Sequence, residues 1–304
     1  METKQQLQTL SHAVISRIQS IGLPKTLRDH VLAEDVLRNH RGYLIPLCYA
    51  LSPAFGKLEH DEQVTICTAI FLGAMGVYAL DPVLDLQITG HGVKKPISDS
   101  FLLISASQHL LSEVIPPKSR FWKKYQERLK DHFLEIELSE VSESDQREWN
   151  QAAYHELLKF KYSLFYLPLD ILFHLTGERA KTNYYYLREA FFQFTIGFNI
   201  PNEIVGFTSD SSLGLKNYAW VRLAEYLEKE KLDKHLFTTE ELHKLIYLSG
   251  IATELYDEAL QAFEECLSIV KPMKLPLFEK IVNDRIKVTF KEKEALKTYL
   301  QNIS

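Results

Sequence analysis

The stretch Ile66–Leu86, ICTAIFLGAMGVYALDPVLDL, decides the fold of this chain. Residues 63–80 carry no charge, and Asp81 and Asp85 then follow at a spacing of four. If the segment is helical, both carboxylates project from one face of an otherwise apolar rod. Two carboxylates in an apolar setting need either a neutralising cation or contact with water. A divalent metal ion, or a position at a solvent-filled opening of the core, would therefore explain them. The alternative, a helix that simply reaches water at Asp81, stays open on this feature alone.

The composition predicts a water-soluble cytoplasmic protein. A hydrophobic fraction of 46% in 304 residues is enough for a substantial core. The net charge of −5 lacks the basic footprint of nucleic-acid binding. Three scattered cysteines suit a reducing compartment, and the N-terminus has no apolar segment typical of a secretion signal. Since Gln, Thr and Gly dilute residues 63–80, we expect a buried helix there and no integral membrane span.

The apolar pattern is helical nearly throughout the chain. It predicts a helix from about Glu59 to Leu86, a long helix over 148–176 that is kinked at Pro168, and a second apolar helix over 182–208. Residues 87–100 are expected to form a polar loop. Because no linker or repeat is visible, the whole chain, 1–304, is predicted to be one all-α domain, a helical bundle with a central apolar cavity.

A second polar cluster ends the second apolar helix, FTIGFNIPNEIVGFTSD (194–210). Asn202, Gly206 and Asp210 are spaced to share one helical face. Asn and Asp supply the hard oxygen ligands that Mg²⁺ prefers, and the glycine leaves room for a water on the same ion. Two such helix ends facing each other would bind a diphosphate above an apolar pocket. Aromatic side chains available to line that pocket are Tyr78, Phe165, Phe194 and Phe198.

These two clusters resemble the motifs of the class I isoprenoid synthase superfamily, which includes trans-prenyl diphosphate synthases and terpene synthases. Residues 81–85, DPVLD, look like the first DDxxD motif with proline in place of its second aspartate. Residues 198–207, FNIPNEIVGF, stand where prenyl synthases have FQIxDDxxDY. The same region is similar to the terpene-synthase motif if Asn202, Gly206 and Asp210 take its ligand positions.

The resemblance extends over roughly residues 40–225 in order and spacing. Lys161 and the following YSLF are similar to the KTxxLF segment, whose lysine contacts diphosphate in the family. Residues 98–103, SDSFLL, are similar to the GDxLL segment. Residues 213–218, LGLKNY, are similar to the loop that follows the second motif.

Basic residues of the family pattern are missing from this chain. The Arg-Arg-Gly of prenyl synthases falls at Gly90-His91-Gly92, and the early basic segment keeps only Arg41 and Pro46. In the family these positions hold the second diphosphate, through charge-assisted contacts that glycine and histidine do not replace. What remains suits a site for a single prenyl diphosphate, although partial compensation by Lys94 and Lys95 stays open.

The resemblance therefore implies a terpene-synthase-like lyase or cyclase that ionises a linear allylic prenyl diphosphate with Mg²⁺. It implies a Mg²⁺ ligand set of Asp81, Asp85, Asn202, Gly206 (through water) and Asp210. Lys161 would stabilise the departing diphosphate, with Lys216 and Arg222 as further contacts. Two alternatives stay open: a chain-elongating trans-prenyl diphosphate synthase, and a catalytically silent relative that binds or regulates a partner. A homodimer is compatible with each.

Overall fold

The computed structural model describes residues 2–40, 43–84, 88–139, 150–215 and 217–303, and it confirms the predicted all-α class. Its α-helices are α1 (Glu2–Ser20), α2 (Lys25–Val31), α3 (Glu34–His40), α4 (Leu47–Leu51), α5 (His60–Leu84), α6 (Lys94–Val114), α7 (Phe121–Ser139), α8 (Gln151–Lys161), α9 (Leu167–Thr176), α10 (Lys181–Ser212), α11 (Tyr218–Lys229), α12 (Thr239–Leu248), α13 (Ile251–Val270) and α14 (Pro276–Ile303).

Packing divides the chain into two compact units, and each is described by itself. The first comprises Met1–Gln126, Leu167–Tyr185 and Met273–Ile281. The second comprises Glu127–Tyr166, Tyr186–Pro272 and Val282–Ser304. That residues 1–304 form a single domain stays a prediction.

Glycines on α5 allow α6 to pack against it closely in the first unit. A Cβ atom on Gly76 would lie 2.7 Å from Cγ1 of Ile104 and 3.1 Å from the carbonyl oxygen of Ser100. A Cβ atom on Gly73 would lie 3.0 Å from Oγ of Ser107. The two glycines that dilute the apolar run therefore provide the close approach of α5 and α6.

The middle of α5 forms the core of the first unit, as the uncharged stretch predicts. Ile66, Phe71 and Leu72 are fully buried, and α1 and α4 also pack on this helix. Among the described residues, α5 is the helix that is long and apolar enough to cross a membrane. Because 61% of its most apolar window is buried inside the protein, a core helix is the better interpretation.

In the second unit α10 packs closely on α13 at Gly197. A Cβ atom there would lie 2.8 Å from the carbonyl oxygen of Ala259 and 2.9 Å from the ring of Phe263. Nearby, the buried rings of Tyr154 and Tyr218 stack in parallel with their centroids 4.1 Å apart. The core of this unit surrounds these contacts and includes Ile200, Ile204, Phe207, Leu223, Ile246, Ala252 and Leu255.

Two sequence predictions about helix bounds are wrong. The helix predicted over 148–176 is broken between α8 and α9 by a 3-10 turn at Ser163–Tyr166, and residues 140–149 lie outside the described ranges. Pro168 is the second residue of α9, where its missing N–H has no helical acceptor to lose, so it produces no mid-helix kink. Helix α6 begins at Lys94, inside the predicted loop, with Pro96 in its first turn.

Candidate functional site

An ion pair in the second unit joins the end of α8 to the middle of α10. The ammonium nitrogen of Lys161 lies 3.7 Å from Oε1 of Glu203. The Lys161 side chain is 40% exposed, whereas that of Glu203 is only 7% exposed. The pair therefore has a buried anion and a cation that solvent, or a ligand, can reach.

Hydrogen bonds hold the Glu203 carboxylate in place. Its Oε1 accepts a bond of 2.5 Å from Nδ2 of Asn199, and its Oε2 accepts one of 2.8 Å from the backbone N–H of Tyr218. Asn199 is itself fixed, because its amide donates to Tyr154 Oη at 2.8 Å and accepts from Tyr162 Oη at 2.7 Å. Both carboxylate oxygens thus have donors within the protein, as a buried charge requires.

The surroundings keep Lys161 protonated. Desolvation lowers its pKa, but the negative charge of Glu203 and the further charges of Glu135 and Asp210 outweigh that effect, so the pKa is raised well above its ordinary value. The backbone carbonyl of Lys161 lies 3.2 Å from Nδ1 of His132, which fixes the C-terminal turn of α8. A protonated ammonium group can make charge-assisted hydrogen bonds to a diphosphate.

Aromatic rings form a stack along α10 in the second unit. The rings of Phe165 and Phe194 lie 5.9 Å apart and nearly parallel, at 8°. Phe194 in turn stacks on Phe198, with centroids 6.1 Å apart at 17°. Tyr162 meets both Phe165 and Phe198 edge to face, at 6.4 Å and 6.3 Å. The predicted pocket aromatics of this unit are thus brought together into one stack, with Phe194 buried and the rings at its two ends half-buried; we call Phe165, Phe194 and Phe198 the aromatic stack.

The second predicted metal cluster lies on one face of a continuous helix, but its side chains have other partners. Asn202 is exposed, with its amide nitrogen 3.5 Å from the carbonyl oxygen of Phe198. Oδ2 of Asp210 accepts a hydrogen bond of 2.7 Å from Asn217. The Asp210 carboxylate also crowds Gly206, where a Cβ atom would lie 3.1 Å from Oδ2.

These residues do not fit a Mg²⁺ ion well. Magnesium binds carboxylates in near-ideal octahedral geometry. The buried carboxylate nearest in sequence to Asn202 is that of Glu203, and it faces the ammonium group of Lys161, which would repel a metal cation. Within the described ranges, no group of three or more His, Cys, Asp and Glu side chains could hold a metal ion. The metal roles of Asn202, Gly206 and Asp210 therefore stay predictions that the local geometry does not favour.

The first motif is described only in part. Asp81 is half-buried in the last turn of α5, immediately before Pro82, and Tyr78 is 43% exposed on the same helix. Asp85 lies outside the described residues, and so does Lys216 of the predicted diphosphate contacts. The roles assigned to these four residues (Tyr78, Asp81, Asp85 and Lys216) stay predictions.

Arg222, the other predicted diphosphate contact, lies in an acidic cluster. Its guanidinium is 3.0 Å from Glu254, 3.5 Å from Glu225 and 3.7 Å from Glu258. Glu258 also accepts a hydrogen bond of 2.9 Å from Tyr218 Oη. A diphosphate would have to displace these carboxylates, so a structural role for Arg222 is better supported by the geometry.

An open pocket of about 300 Å³ lies in the first unit and contains none of the predicted site residues. It is lined by Gln5, Gln6, Thr9, Leu10, Tyr49 and His60. These side chains carry no acidic pair and no lysine or arginine, so this pocket offers neither a metal site nor a strong diphosphate site.

Sequence reasoning missed three residues of the site in the second unit: Asn199, Glu203 and Arg285. Glu203 had a signal, because it is the only charged residue between Glu189 and Asp210. An isolated charge in an apolar helix must find a partner. No feature of the sequence distinguishes Arg285 from the other charged residues of its helix. In the structure its guanidinium carbon lies 4.7 Å from the ring centroid of Phe198.

Several solved structures have a similar fold, although no family model and no curated protein matches the sequence. Geranylgeranyl pyrophosphate synthase from Lactobacillus brevis is similar over 94% of this chain and 96% of its own, with a TM-score of 0.72 and 14% identity. Octaprenyl pyrophosphate synthase from Helicobacter pylori is similar over 94% and 98%, with a TM-score of 0.60 and 17% identity.

A third solved structure, polyprenyl synthase from Caulobacter crescentus in a complex with calcium and isoprenyl diphosphate, covers 93% of this chain and 94% of its own. Its TM-score is 0.66 and its identity is 15%. The chain therefore has the all-α fold of the isoprenoid synthases, and among them its structural neighbours are trans-prenyl diphosphate synthases. The resemblance predicted from the motifs is confirmed at the level of the fold.

Proposed function

We propose that the protein is a prenyltransferase that elongates an allylic prenyl diphosphate, the alternative that the sequence left open. The observation that carries this proposal is the likeness, over more than nine-tenths of both chains, to synthases that make geranylgeranyl and octaprenyl diphosphates. A lyase or cyclase function, which the motifs alone favoured, has less support because the neighbours named above are chain-elongating synthases.

The geometry of the second unit supports a prenyl diphosphate as the ligand. Phe165 and Phe198, the half-buried rings at the two ends of the aromatic stack, are available to contact an unsaturated chain and the allylic cation formed from it. Lys161, charged and partly exposed, is suited to receive the diphosphate that leaves. In elongation the allylic C–O bond breaks with its electrons on diphosphate, the double bond of isopentenyl diphosphate attacks the cation, and a proton is then lost.

In the first unit we assign a divalent ion to Asp81, a carboxylate of the kind that Mg²⁺ binds, together with Asp85, which lies outside the described residues. An ion bound there would supply a Lewis acid. The protein's own residues would hold the chain on the aromatic stack and place a fixed positive charge at Lys161.

Purified protein should be incubated with Mg²⁺ and allylic diphosphates of ten to twenty carbons, with and without isopentenyl diphosphate. We expect an elongated prenyl diphosphate only when both substrates are present. Release of a hydrocarbon or alcohol from the allylic diphosphate alone would contradict elongation and support the lyase or cyclase instead. That second candidate is favoured by the missing arginines at Gly90-His91-Gly92, an exposed segment before α6.

A catalytically silent relative is the third candidate. It is favoured by the second motif, where Glu203 and Asp210 already have hydrogen-bond donors within the protein. Binding of prenyl diphosphates with no product from any chain length, with or without isopentenyl diphosphate, would support it over both enzymes.

A further inference from the structure

Arg285 places a second cation at the aromatic stack. It lies on α14, half-buried, with its guanidinium carbon 4.7 Å from the ring centroid of Phe198. Phe198 is the end of the stack formed with Phe194 and Phe165. A guanidinium over an aromatic ring is attracted by the negative ring face, which holds the cation at this position.

The first cation, Lys161, belongs to the same assembly of side chains. Tyr162, the next residue, meets the ring of Phe198 edge to face and donates a hydrogen bond to Asn199, which in turn bonds Glu203, the partner of Lys161. One continuous set of contacts therefore joins the half-buried rings of Phe165 and Phe198 to a positive charge at Lys161 and another at Arg285. An apolar chain with an anionic head is the ligand chemistry that such a surface fits.

Besides lying over the ring of Phe198, the guanidinium group of Arg285 can bind a phosphate. Its planar array of N–H donors matches two phosphate oxygens at once, which an ammonium group does not achieve. The charge of Arg285 also acts on Glu292, whose pKa is raised by desolvation and partly lowered again by Arg285. A ligand phosphate would bind the guanidinium beside Phe198, where the charge of Arg285 also influences the ionisation of Glu292.

We propose that Arg285 contacts the phosphate head of a prenyl diphosphate whose chain lies on the aromatic stack, an inference that rests on the proposed function. It supplies a basic contact besides Lys161 in the second unit. The site is thus formed within the second unit by α10, the turn that carries Phe165 and the part of α14 that carries Arg285, and its ligand class is a phosphate ester of an unsaturated apolar chain.

The test is equilibrium binding of two probes that differ only in their head group. Farnesyl thiodiphosphate carries the anionic head but does not ionise, and farnesol carries the same chain without it. Arg285→Met keeps most of the apolar stem and removes the charge, and Arg285→Lys keeps the charge. The matched control is Lys287→Met, on the same helix, where the lysine is exposed and paired with Asp284.

We expect Arg285→Met to weaken farnesyl thiodiphosphate binding by about tenfold or more and to leave farnesol binding unchanged. Arg285→Lys should recover part of the loss, and Lys287→Met should bind both probes like the unaltered protein. Equal weakening of both probes by Arg285→Met would mean that the arginine only packs on Phe198, and would overturn the inference. Unchanged binding of both probes would overturn it as well.

The two proposals can fail separately. If the unaltered protein binds farnesyl thiodiphosphate and elongates farnesyl diphosphate, but Arg285→Met binds normally, only the role of Arg285 fails. If the head-group effect of Arg285→Met is present but no elongated product forms, the role of Arg285 stands and elongation fails. If the unaltered protein binds neither probe, both proposals fail.

Discussion

The ammonium group of Lys161 lies 3.7 Å from the Glu203 carboxylate, and this pair joins the end of α8 to the middle of α10. The carboxylate is buried and hydrogen-bonded, whereas the lysine is partly exposed. A buried anion needs its counter-charge for stability, and an exposed cation can serve a ligand. The pair therefore links the stability of α10 to the ligand chemistry of the site.

Breaking this pair should cost stability in a coupled way. Lys161→Met leaves Glu203 without a counter-charge and should lower the free energy of unfolding by about 1–2 kcal/mol, since the lysine is partly exposed. Glu203→Gln leaves one donor, from Asn199 or Tyr218, without an acceptor and should cost about 1–3 kcal/mol. Because the pair interaction is lost only once, the double variant should cost less than the sum.

Denaturant unfolding of the four proteins at pH 7 measures this coupling. The control combines Lys161→Met with Asp257→Asn, a carboxylate paired with Lys293 on α14 instead. That combination should be additive. Additivity of Lys161→Met with Glu203→Gln would show that the two side chains do not stabilise each other.

The dependence of elongation on Mg²⁺ should change when the first motif is substituted and should not change when the second motif is substituted. Asn202 is exposed, and the Asp210 carboxylate accepts a hydrogen bond from Asn217. We therefore expect Asn202→Ala and Asp210→Asn to leave unchanged the Mg²⁺ concentration that gives half-maximal elongation. Asp81→Ala should abolish metal-dependent turnover. The measurement is product formation against Mg²⁺ concentration. Full turnover by Asp81→Ala would disprove the metal role of Asp81, and loss of Mg²⁺ response in Asn202→Ala would restore the second cluster as a metal site.

Acid should destabilise the protein through half-buried histidines. Desolvation lowers the pKa of His132, although its hydrogen bond with the Lys161 carbonyl partly opposes this. Burial lowers the pKa of His155 and His174 in the same direction. Below the unfolded pKa of about 6.5 the unfolded chain binds more protons than the folded one, so stability is present above that pH and is lost as the pH falls.

The variant His132→Gln tests this because glutamine can still donate to the carbonyl of Lys161 but does not titrate. The free energy of unfolding should fall less steeply between pH 7 and pH 5 in His132→Gln than in the unaltered protein. The remaining slope would come from His155, His174 and other groups. An identical slope in both proteins would exclude a contribution from His132.

Close packing of α10 on α13 should make Gly197 intolerant of any side chain. Gly197→Ala places a methyl group 2.8 Å from the backbone oxygen of Ala259, which cannot move like a flexible side chain. We expect a loss of about 1–3 kcal/mol in the free energy of unfolding. The control, Gly22→Ala, meets no atom within 4 Å and should change stability by less than about 1 kcal/mol. Equal stability of both variants would contradict the close packing of α10 on α13.

Much of the fold could be predicted because it depends on local periodicity. The helix predicted from about Glu59 is α5, which begins at His60, and the one predicted over 182–208 is α10, Lys181–Ser212. The single helix over 148–176 was wrong because an unbroken apolar pattern does not reveal an interruption. In the fold, Ser163 Oγ donates to the Arg128 carbonyl at 2.7 Å, a tertiary contact that accompanies the break.

The candidate site could be predicted only where the residue type itself indicates the chemistry. Lys161 and the aromatic rings of Phe165, Phe194 and Phe198 were found from the sequence, and the latter three do meet in one stack. Arg285 was not found from the sequence, because arginines are common on amphipathic helices and the local pattern does not show which residues of other helices lie beside them.

The sequence by itself determined which segments are helical and which two helices, α5 and α10, are apolar enough to be central, since burial of a helix face imposes a period of 3.6 residues. Only the tertiary structure decided that α8 ends at Lys161, that this lysine meets Glu203, and that Arg285 lies over Phe198. The physical reason is that periodicity records whether a side chain is buried. Which distant charge or ring lies beside it depends on how whole helices pack.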